Sequence, residues 1–299
     1  MRASIIIPVR NRPELLQQLL SSLVSQNFSQ ADLEVLVCDD GSSMDLRPAL
    51  RKYDAKIKNL CLLRQEPKGP AAARNLGVRE CASPVVLFLD SDVLADRGLI
   101  LYLVTALDKN PDWLGAEARI ESNGAEKSPL CDSPVCKNGG RYHTAAIAYR
   151  RDALVRVGGF DESFKMPVCE DVDLAVRVLN QGPIGFVPES VAKHPQRRIT
   201  LRTHWGWRHS WKYVMIVAKR YGFLAFPGKD AGPFPRLRVA LAAVVSQPAG
   251  RFIEGIRHMR KDFAEGSLAC FYGLFDVFCG IWALPSIFFS RVPERKNYL

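Results

Sequence analysis

Val85-Val86-Leu87-Phe88-Leu89-Asp90-Ser91-Asp92 is the stretch that decides the fold of this 299-residue chain. Its five apolar residues show no polar alternation, which indicates a β-strand buried on both faces of a sheet covered by helices. The two carboxylates that follow belong at the carboxyl end of that strand, where open α/β sheets bind ligands. Aspartates spaced in this way suit a divalent cation beside a nucleotide diphosphate, although an isolated D-x-D is also typical of a solvated turn.

Two earlier strands end in similar polar residues. Ser4–Val9 leads into Arg10-Asn11-Arg12-Pro13, and Leu33–Cys38 leads into Asp39-Asp40-Gly41-Ser42. Segments with helical apolar spacing separate the strands, so the pattern predicts a right-handed, largely parallel α/β sheet with three strand ends at one crevice. The chain contains no G-x-G-x-x-G and no G-x-x-x-x-G-K-[ST], which disfavours dinucleotide and P-loop sites.

The composition is that of a folded chain, with 47% hydrophobic and 24% charged residues. Eight scattered cysteines and the absence of a signal-peptide pattern at Met1 predict a reduced, cytoplasmic setting. Cys131 and Cys136 have no second pair at zinc spacing, so an ordinary loop is expected there. Residues 1–192 hold 23 Lys and Arg against 25 Asp and Glu, whereas residues 193–299 hold 18 against 6. This asymmetry predicts different partners for the two parts.

Six motifs in order resemble those of family 2 glycosyltransferases. They are Ile-Ile-Pro-Val-Arg-Asn, Cys-Asp-Asp-Gly-Ser-Ser, Ala-Arg-Asn-Leu-Gly, Leu-Asp-Ser-Asp, Gly-Gly-Phe-Asp-Glu-Ser-Phe and Cys-Glu-Asp-Val-Asp-Leu. The resemblance covers about residues 3–195. It implies an α/β domain of the GT-A type over residues 1–195, with a mostly parallel sheet flanked by helices. It also implies inverting, metal-dependent sugar transfer from a nucleotide donor to a hydroxyl, with UDP expected first and GDP or dTDP as alternatives.

The resemblance implies a set of donor-binding residues. Asp39 resembles the residue that recognises the nucleobase, and Pro8 and Arg10 lie where the family's backbone shapes that pocket. Arg74 resembles a nucleotide-contacting arginine, and Asp90 a residue that touches the ribose or the water molecules of the metal. These roles are chemically reasonable, because a uracil-like edge offers an N–H to a carboxylate and a diphosphate attracts arginine. For Asp39, an Asp-Gly type of turn is the structural alternative.

The cation is expected to be Mn²⁺ or Mg²⁺. Asp92 resembles its direct ligand, with Asp90 beside it. His194 follows a strand over Ile184–Pro188, which Pro188 indicates to be an edge strand. In this fold a histidine after the last strand can complete the metal site, but a structural or exposed histidine is equally expected here.

Glu170, Asp171 and Asp173 lie at the amino end of a predicted helix. Acids at this place often cap a helix or interact with its dipole. One cap needs only one acid, and the resemblance makes Asp171 the general base that takes a proton from the acceptor hydroxyl. Glu170 and Asp173 are then expected on the acceptor side. The family often has a Thr-x-Asn-like acceptor segment, but this chain has Ala146 where the Asn is expected.

The region over residues 196–299 is predicted to be helical and basic. Its first part mixes Lys and Arg with Trp and Tyr, which is typical of single-stranded nucleic-acid binding or of a membrane interface. Two helices are expected over residues 236–245 and 252–263. Leu268–Phe289 is long enough to cross a bilayer, but Asp276 near its middle costs about 2.5–3.5 kcal/mol.

These features predict peripheral or re-entrant contact with the cytoplasmic face of a membrane rather than a full span. Such a location suits a lipid-linked or cell-envelope glycan as acceptor, in polysaccharide biosynthesis. The alternative is an ordinary apolar interface, either with the catalytic domain or between two copies of the chain, which would make a homo-oligomer.

Two other functions deserve comparison. A nucleotidyltransferase acting on sugar phosphates usually has a glycine-rich basic loop after its first strand, whereas Arg10-Asn11-Arg12 has no glycine. A nucleic-acid-binding protein would leave Asp39, Asp92 and Asp171 without purpose, so no nucleic-acid partner is expected.

Overall fold

The computed structural model describes residues 1–124, 128–200, 202–203, 205, 208–221, 251–283, 294 and 296–299. The chain forms two compact units. The first unit comprises residues 1–123, 134–195 and 295–299, and the second unit comprises residues 124–133 and 196–294. The domain boundary after residue 195 stays a prediction.

An eight-stranded sheet lies at the centre of the first unit, in the order β3-β2-β1-β4-β8-β6-β9-β5. The first four strands of this order pair in parallel, and β8 is antiparallel to both of its neighbours. The strands are β1 Ala3–Val9, β2 Leu33–Asp40, β3 Leu60–Gln65, β4 Val85–Leu89, β5 Leu94–Ala95, β6 Gly115–Ser122, β7 Cys131–Asp132, β8 Ala146–Arg150, β9 Ile184–His194 and β10 Arg197–Arg198. Strands β7 and β10 pair with each other in the second unit.

Helices connect the strands of the first unit and recur in the second. They are α1 Pro13–Val24, α2 Arg47–Arg51, α3 Pro70–Glu80, α4 Leu99–Lys109, α5 Arg151–Arg156, α6 Glu170–Leu179, α7 Trp211–Tyr221 and α8 Phe263–Ala283. Residues 251–258 are also helical. The mixed, mostly parallel α/β architecture predicted from the sequence is therefore confirmed.

Strand β4 is buried along its whole length, as its unbroken apolar sequence predicts. Val85, Leu87 and Leu89 belong to one apolar cluster, and Val86 and Phe88 belong to another. Since side chains alternate along a strand, the two clusters cover opposite faces of the sheet. Burying a side chain such as Phe88 contributes about 1.5–3 kcal/mol to stability. The apolar run thus places the aspartates that follow it at the sheet edge.

Strand β9 is an edge strand over its first part, as Pro188 predicts: among the described strands, residues 184–187 pair with β6 alone, and the short β5 pairs only with Ala192 and Lys193. Its pairing with β6 is parallel and contains an irregularity: Ala118 pairs with Val187, but Arg119 pairs with Val191. Residues 188–190 are therefore left out of the ladder, and Pro188 has no ladder hydrogen bond to donate there. Within the described part of the chain, Pro188 thus lies where β9 has no ladder partner on either side.

Helix α3 packs unusually close to the sheet. A Cβ on Gly77 would lie 2.5 Å from Cγ2 of Ile6 and 3.0 Å from Sγ of Cys38. Only glycine permits this approach without displacing core atoms. The close packing fixes Arg74, one turn earlier in α3, against the neighbouring strand ends.

The second unit contains a helical hairpin, which we define as residues 251–283. Its two helical parts approach closely, since a Cβ on Gly255 would lie 2.8 Å from Sγ of Cys270. Arg251 pairs with Asp276 at 2.6 Å, so the acid near the middle of the long apolar segment has a cationic partner. Among the described residues, no helix is long and apolar enough to cross a membrane. The helix expected over residues 236–245 lies outside the described residues, as does the end of the apolar segment from residue 284.

Candidate functional site

The carboxyl ends of β1, β2 and β4 meet, because these strands are neighbours and run in parallel. Asn11 follows β1 with a left-handed backbone, φ 55°. Its N–H donates to Oγ of Ser42 at 2.9 Å, and its Oδ1 accepts from the N–H of Ser43 at 2.8 Å. Arg12 joins the same turn to the end of β4, with Nη1 3.0 Å from Oδ2 of Asp92. The structure therefore brings the three predicted strand ends together through direct contacts.

Asp39, the residue expected to recognise the nucleobase, is fully buried at the end of β2. Its Oδ1 accepts from the N–H of Ser42 at 2.8 Å, and its Oδ2 accepts from Nη1 of Arg64 at 2.9 Å. The two contacts fix the plane of the carboxylate. Pro8 is half-buried and Arg10 is exposed beside this strand end.

Asp90, Asp92 and His194 form a cluster that can hold a metal ion, with one ligand atom of each within 4.8 Å of the others. Nδ1 of His194 lies 2.9 Å from the carbonyl of Pro195. A carbonyl only accepts, so Nδ1 carries the proton of a neutral ring and Nε2 keeps its lone pair. Nε2 lies 3.4 Å from Oδ1 of Asp92. Two facing acceptors require a cation between them or a proton on Nε2, and this donor set fits Mn²⁺ or Mg²⁺.

Arg74 connects this cluster to the start of helix α6. Its side chain is 2% exposed, and it donates to Oδ1 of Asp90 and to Oε1 of Glu170, each at 2.9 Å. The guanidinium also lies 5.6 Å from the ring centre of Phe160. Burial lowers the pKa of Arg74, but the two carboxylates outweigh burial and raise it. The residue expected to contact the nucleotide is thus also an internal bridge between two acids.

Glu170 is buried beside Asp171 at the first turn of α6. Burial and the neighbouring Asp171 charge raise the pKa of Glu170 to about 7, although Arg74 opposes the shift. Its Oε1 accepts from Arg74, while its Oε2 has no hydrogen-bond partner within the described part of the chain. Glu170 therefore lies in an environment in which it exchanges its proton near neutral pH.

Asp171, the predicted general base, keeps its side chain 16% exposed. Its Oδ1 accepts from the N–H of Val172 at 2.8 Å. Its Oδ2 lies 3.4 Å from Nδ1 of His143. The carboxylate is thus oriented from two sides and retains contact with solvent.

Asp173, which was expected on the acceptor side, is fully buried and faces Arg177. Nε and Nη2 of Arg177 donate to its Oδ2 at 3.0 and 2.7 Å. Nη1 of Arg177 donates to the carbonyls of Val157 and Gly159, which ties α6 to the Gly-Gly segment. These contacts give Asp173 a structural setting, and the geometry offers no support for its acceptor role. The acceptor role of Glu170 likewise stays a prediction.

Two side chains at the site were not found from the sequence. Arg64 lies at the end of β3, and its neighbour Asp39 becomes visible only once β3 is paired beside β2. His143 meets Asp171 across 28 residues, and no spacing rule predicts such a contact. Ala146, which replaces the expected Asn, is fully buried in β8 opposite Leu89. A polar side chain at that position would lie in the sheet core.

Aspartates at adjoining strand ends, an Asp-Asp-His group that could hold a metal ion and an acidic helix start thus lie on one α/β unit. The sequence profile of glycosyl transferase family 2 matches residues 4–155, half of the chain. The chain belongs to this family. The resemblance and the enzyme class predicted from the sequence are therefore confirmed.

The chain is similar to the pre-mycofactocin glycosyltransferase of Mycobacterium tuberculosis, with 32% identity over 215 residues. The match covers 65% of this chain and 43% of that relative. The chain spans about half the length of the curated relatives it matches.

Two solved structures share the fold. The mannosyltransferase PcManGT from Pyrobaculum calidifontis, in complex with GDP-Man and Mn²⁺, superposes with a TM-score of 0.59 and 17% identity, over 97% of this chain and 88% of that one. S. aureus TarS 1–349 in complex with UDP-GlcNAc gives a TM-score of 0.55 and 17% identity, over 97% and 93%. At this identity the likeness establishes the GT-A fold.

Proposed function

We propose that this enzyme transfers a sugar from a nucleotide-sugar donor to a hydroxyl acceptor with inversion at the anomeric carbon. The observation that carries the proposal is the chain of contacts from Asp90 through Arg74 to Glu170, the residue next to Asp171. These contacts hold the partly exposed carboxylate of Asp171 at a fixed position relative to the proposed metal-ligand cluster. Inverting transfer needs such a pairing, with a base for the acceptor on one side and charge stabilisation for the leaving group on the other.

UDP is the proposed donor nucleotide, with GDP and dTDP as alternatives. Oδ2 of Asp39 accepts one hydrogen bond from Arg64, and a carboxylate oxygen can accept a second. The imide N–H of uracil or thymine and the ring N–H of guanine each match that acceptor. The UDP-GlcNAc and GDP-Man complexes of the two solved relatives support donors of this class. Pro8 and Arg10 are proposed to border the base.

The proposed cofactor is Mn²⁺ or Mg²⁺, held by Asp92 and His194 with Asp90 beside it. When bound, such an ion neutralises the negative charge that develops on the leaving diphosphate. Arg12 contacts Asp92 from the exposed side, with 45% of its side chain exposed, and is proposed to orient that carboxylate. The acceptor side is formed by Asp171, with Glu170 beside it as a further predicted contact. Asp173, which the sequence predicted as another, is fully buried in its pair with Arg177.

In the proposed reaction Asp171 acts as the base. Its Oδ2 takes the proton from the acceptor hydroxyl while the hydroxyl oxygen bonds to the anomeric carbon. The bond between that carbon and the diphosphate oxygen breaks, and its electron pair leaves with the nucleotide. Attack from the face opposite the leaving group inverts the anomeric configuration.

Calorimetric titration of the full chain with nucleotide sugars tests this function. UDP-glucose, UDP-N-acetylglucosamine, GDP-mannose and dTDP-glucose are each titrated with Mn²⁺ and with EDTA. We expect at least one donor to bind, with affinity at least tenfold higher in Mn²⁺. Asp92→Asn should remove the effect of Mn²⁺, whereas Glu121→Gln, a change to an exposed acid, should preserve it. Failure of every donor to bind, together with no effect of Mn²⁺, would refute the proposal.

We also propose that the helical hairpin contacts an anionic membrane surface. Its large apolar side chains are strongly exposed, at 74% for Phe263, 54% for Phe271, 59% for Leu274 and 66% for Phe278. The exposed cations Arg257, Arg260 and Lys261 lie on the same hairpin. Exposed aromatic residues beside cations suit the headgroup region of an anionic bilayer.

This contact would hold the enzyme peripherally at the cytoplasmic face of a membrane, where a lipid-linked or cell-envelope glycan is delivered as the acceptor. Flotation with vesicles of equal phosphatidylglycerol and phosphatidylcholine at low salt tests it. The full chain should float, and Phe271→Ser/Phe278→Ser should not. Met44→Ser/Leu101→Ser, which changes exposed apolar residues of the first unit, should float normally. If the unchanged chain stays in the soluble fraction, the membrane proposal is wrong, and light scattering then tests a homo-oligomer formed through the hairpin.

A further inference from the structure

The backbone before strand β8 is held in an uncommon conformation. Gly139, Gly140 and Tyr142 have positive φ angles of 75°, 79° and 57°. Left-handed backbone is cheap for glycine but unfavourable for tyrosine. Such conformations persist only where surrounding contacts impose them, and they concentrate at functional sites.

Glu117 imposes this conformation from the interior. It belongs to β6 and is 1% exposed. Its Oε2 accepts from the N–H of Gly140 at 2.7 Å, and its Oε1 accepts from the N–H groups of Arg141, at 3.1 Å, and Tyr142. A buried carboxylate with three backbone donors fixes the loop firmly, because losing it would leave those donors unpaired. The next residue in the chain is His143.

His143 therefore contacts Asp171 from a loop whose backbone is fixed by Glu117. Its Nδ1 lies 3.4 Å from Oδ2 of Asp171, while Oδ1 of Asp171 is held by the N–H of Val172. Both oxygens of the carboxylate thus have a fixed direction. The His143 side chain is 31% exposed and that of Asp171 is 16% exposed, so the pair borders the space open to an acceptor.

We propose that His143 is a positioning residue for Asp171, donating its Nδ1–H to Oδ2 and holding the carboxylate in the orientation that proton transfer requires. This inference rests on the proposed role of Asp171 as the base. The second lone pair of Oδ2 stays available for the proton of the acceptor hydroxyl. His143 itself neither gains nor loses a proton in the transfer step.

Charged and titratable groups surround the pair on several elements. Asp171 is faced by Arg74 of α3, Tyr149 of β8, Glu170 of α6, Cys169 and His143, and His143 is faced in addition by Glu117 and Arg141. Burial lowers the pKa of His143, but the hydrogen bond and charge of Asp171, with Glu117, outweigh burial and raise it. The charge of Asp171 thereby favours the protonated ring of His143.

Histidine-ring NMR on the full chain tests the contact without any substrate. The chain has five histidines, and His143→Asn identifies the signal of His143. Asp171→Asn should lower the titration midpoint of His143, because the hydrogen bond and charge of Asp171 that raise its pKa are lost. An unchanged midpoint would show that the two side chains do not interact and would overturn the proposal, whatever the enzyme's activity.

The rate of nucleotide release tests the positioning role. UDP-glucose, UDP-N-acetylglucosamine and GDP-mannose serve as probes in Mn²⁺, with water as acceptor, and the fastest one is used. His143→Leu should lower kcat about tenfold or more and leave the KM for the donor within about twofold. His143→Asn, which keeps an N–H near the place of Nδ1, should recover much of kcat at the pH optimum.

The control is His258→Asn, since His258 also contacts a carboxylate, with Nε2 3.1 Å from Oε2 of Glu265 in the second unit. It should leave kcat unchanged. If His143→Asn recovers no more kcat than His143→Leu, or if His143→Leu raises the KM for the donor as strongly as it lowers kcat, His143 is only structural and the proposal is wrong. Full activity in Asp171→Asn would instead show that Asp171 is not the base, and the NMR result would still report whether His143 contacts Asp171.

Discussion

Arg74→Met is predicted to destabilise the first unit in a pH-dependent way. The substitution removes a buried cation and leaves Glu170, which is 4% exposed at its side chain, and Asp90, which is 29% exposed. Removing one partner of a buried ion pair costs about 3–5 kcal/mol. Asp90 is hydrated in part, so most of this cost comes from Glu170. We expect a loss of about 3–5 kcal/mol in the free energy of unfolding at pH 8.

The loss should shrink as the pH falls. The pKa of Glu170 is raised to about 7 in the folded chain, from 4.5, and losing Arg74 raises it further. A carboxyl group whose pKa is higher in the folded than in the unfolded chain stabilises the fold fully at pH values below its unfolded pKa. This stabilisation is lost as the pH rises through its folded pKa. At pH 5.5 Glu170 is protonated and no longer a buried unpaired charge in Arg74→Met. The loss in the free energy of unfolding should therefore be smaller there by about 1 kcal/mol, which corresponds to roughly one pKa unit.

Urea denaturation followed by circular dichroism at pH 8 and pH 5.5 measures both effects. Arg74→Met/Glu170→Gln should be more stable than Arg74→Met at pH 8 and should lose most of the pH dependence. Arg156→Met, which breaks an exposed pair with Asp152, should cost under about 1 kcal/mol. An Arg74→Met protein as stable as the parent at pH 8, or equally destabilised at both pH values, would refute the bridge.

Three further predictions concern the site. Asp171→Asn should bind the donor within about twofold of the parent and lower transfer about 10²–10⁴-fold; near-normal turnover in a single-turnover assay would exclude Asp171 as the base. Arg177→Met should lower the free energy of unfolding by about 3–5 kcal/mol, because it leaves the buried carboxylate of Asp173 without its cation. Arg177→Met/Asp173→Leu should recover most of this loss in urea denaturation. No recovery would mean that the charge of Asp173 is not the cause. Arg64→Ala should weaken UDP binding about tenfold by calorimetry, since the half-exposed Arg64 side chain donates a charge-assisted hydrogen bond that orients Asp39. Arg47→Ala, which breaks an exposed pair with Asp45, is the control. Equal affinities of Arg64→Ala and the parent would contradict this role.

The sequence was sufficient for the elements that depend on local periodicity. The apolar run of β4 required burial on both faces, and the parallel strands required their polar ends to meet at one edge. Asp39, Asp90 and Asp92 therefore lie where their strand positions placed them. The structure also groups His194 with the two aspartates, although its sequence context did not distinguish a ligand from an exposed histidine.

The parts that the sequence did not reveal depend on contacts between distant segments. Pro188 indicated an edge strand, and residues 184–187 do pair on one side alone in the described sheet, but no pattern in the sequence reveals the bulge that removes three residues from pairing. His143 reaches Asp171 through a loop set by Glu117, and that loop exists only in the folded chain. Asp173 is different, since its spacing of four residues from Arg177 on one helix face was a readable signal for an ion pair.

A crystal structure of the full chain with Mn²⁺ and UDP tests the central claim most directly. We expect an anomalous manganese peak in contact with a carboxylate oxygen of Asp92 and Nε2 of His194, and the uracil N–H donating to the carboxylate of Asp39. Manganese bound elsewhere, or a nucleotide that occupies a place away from these strand ends, would contradict it.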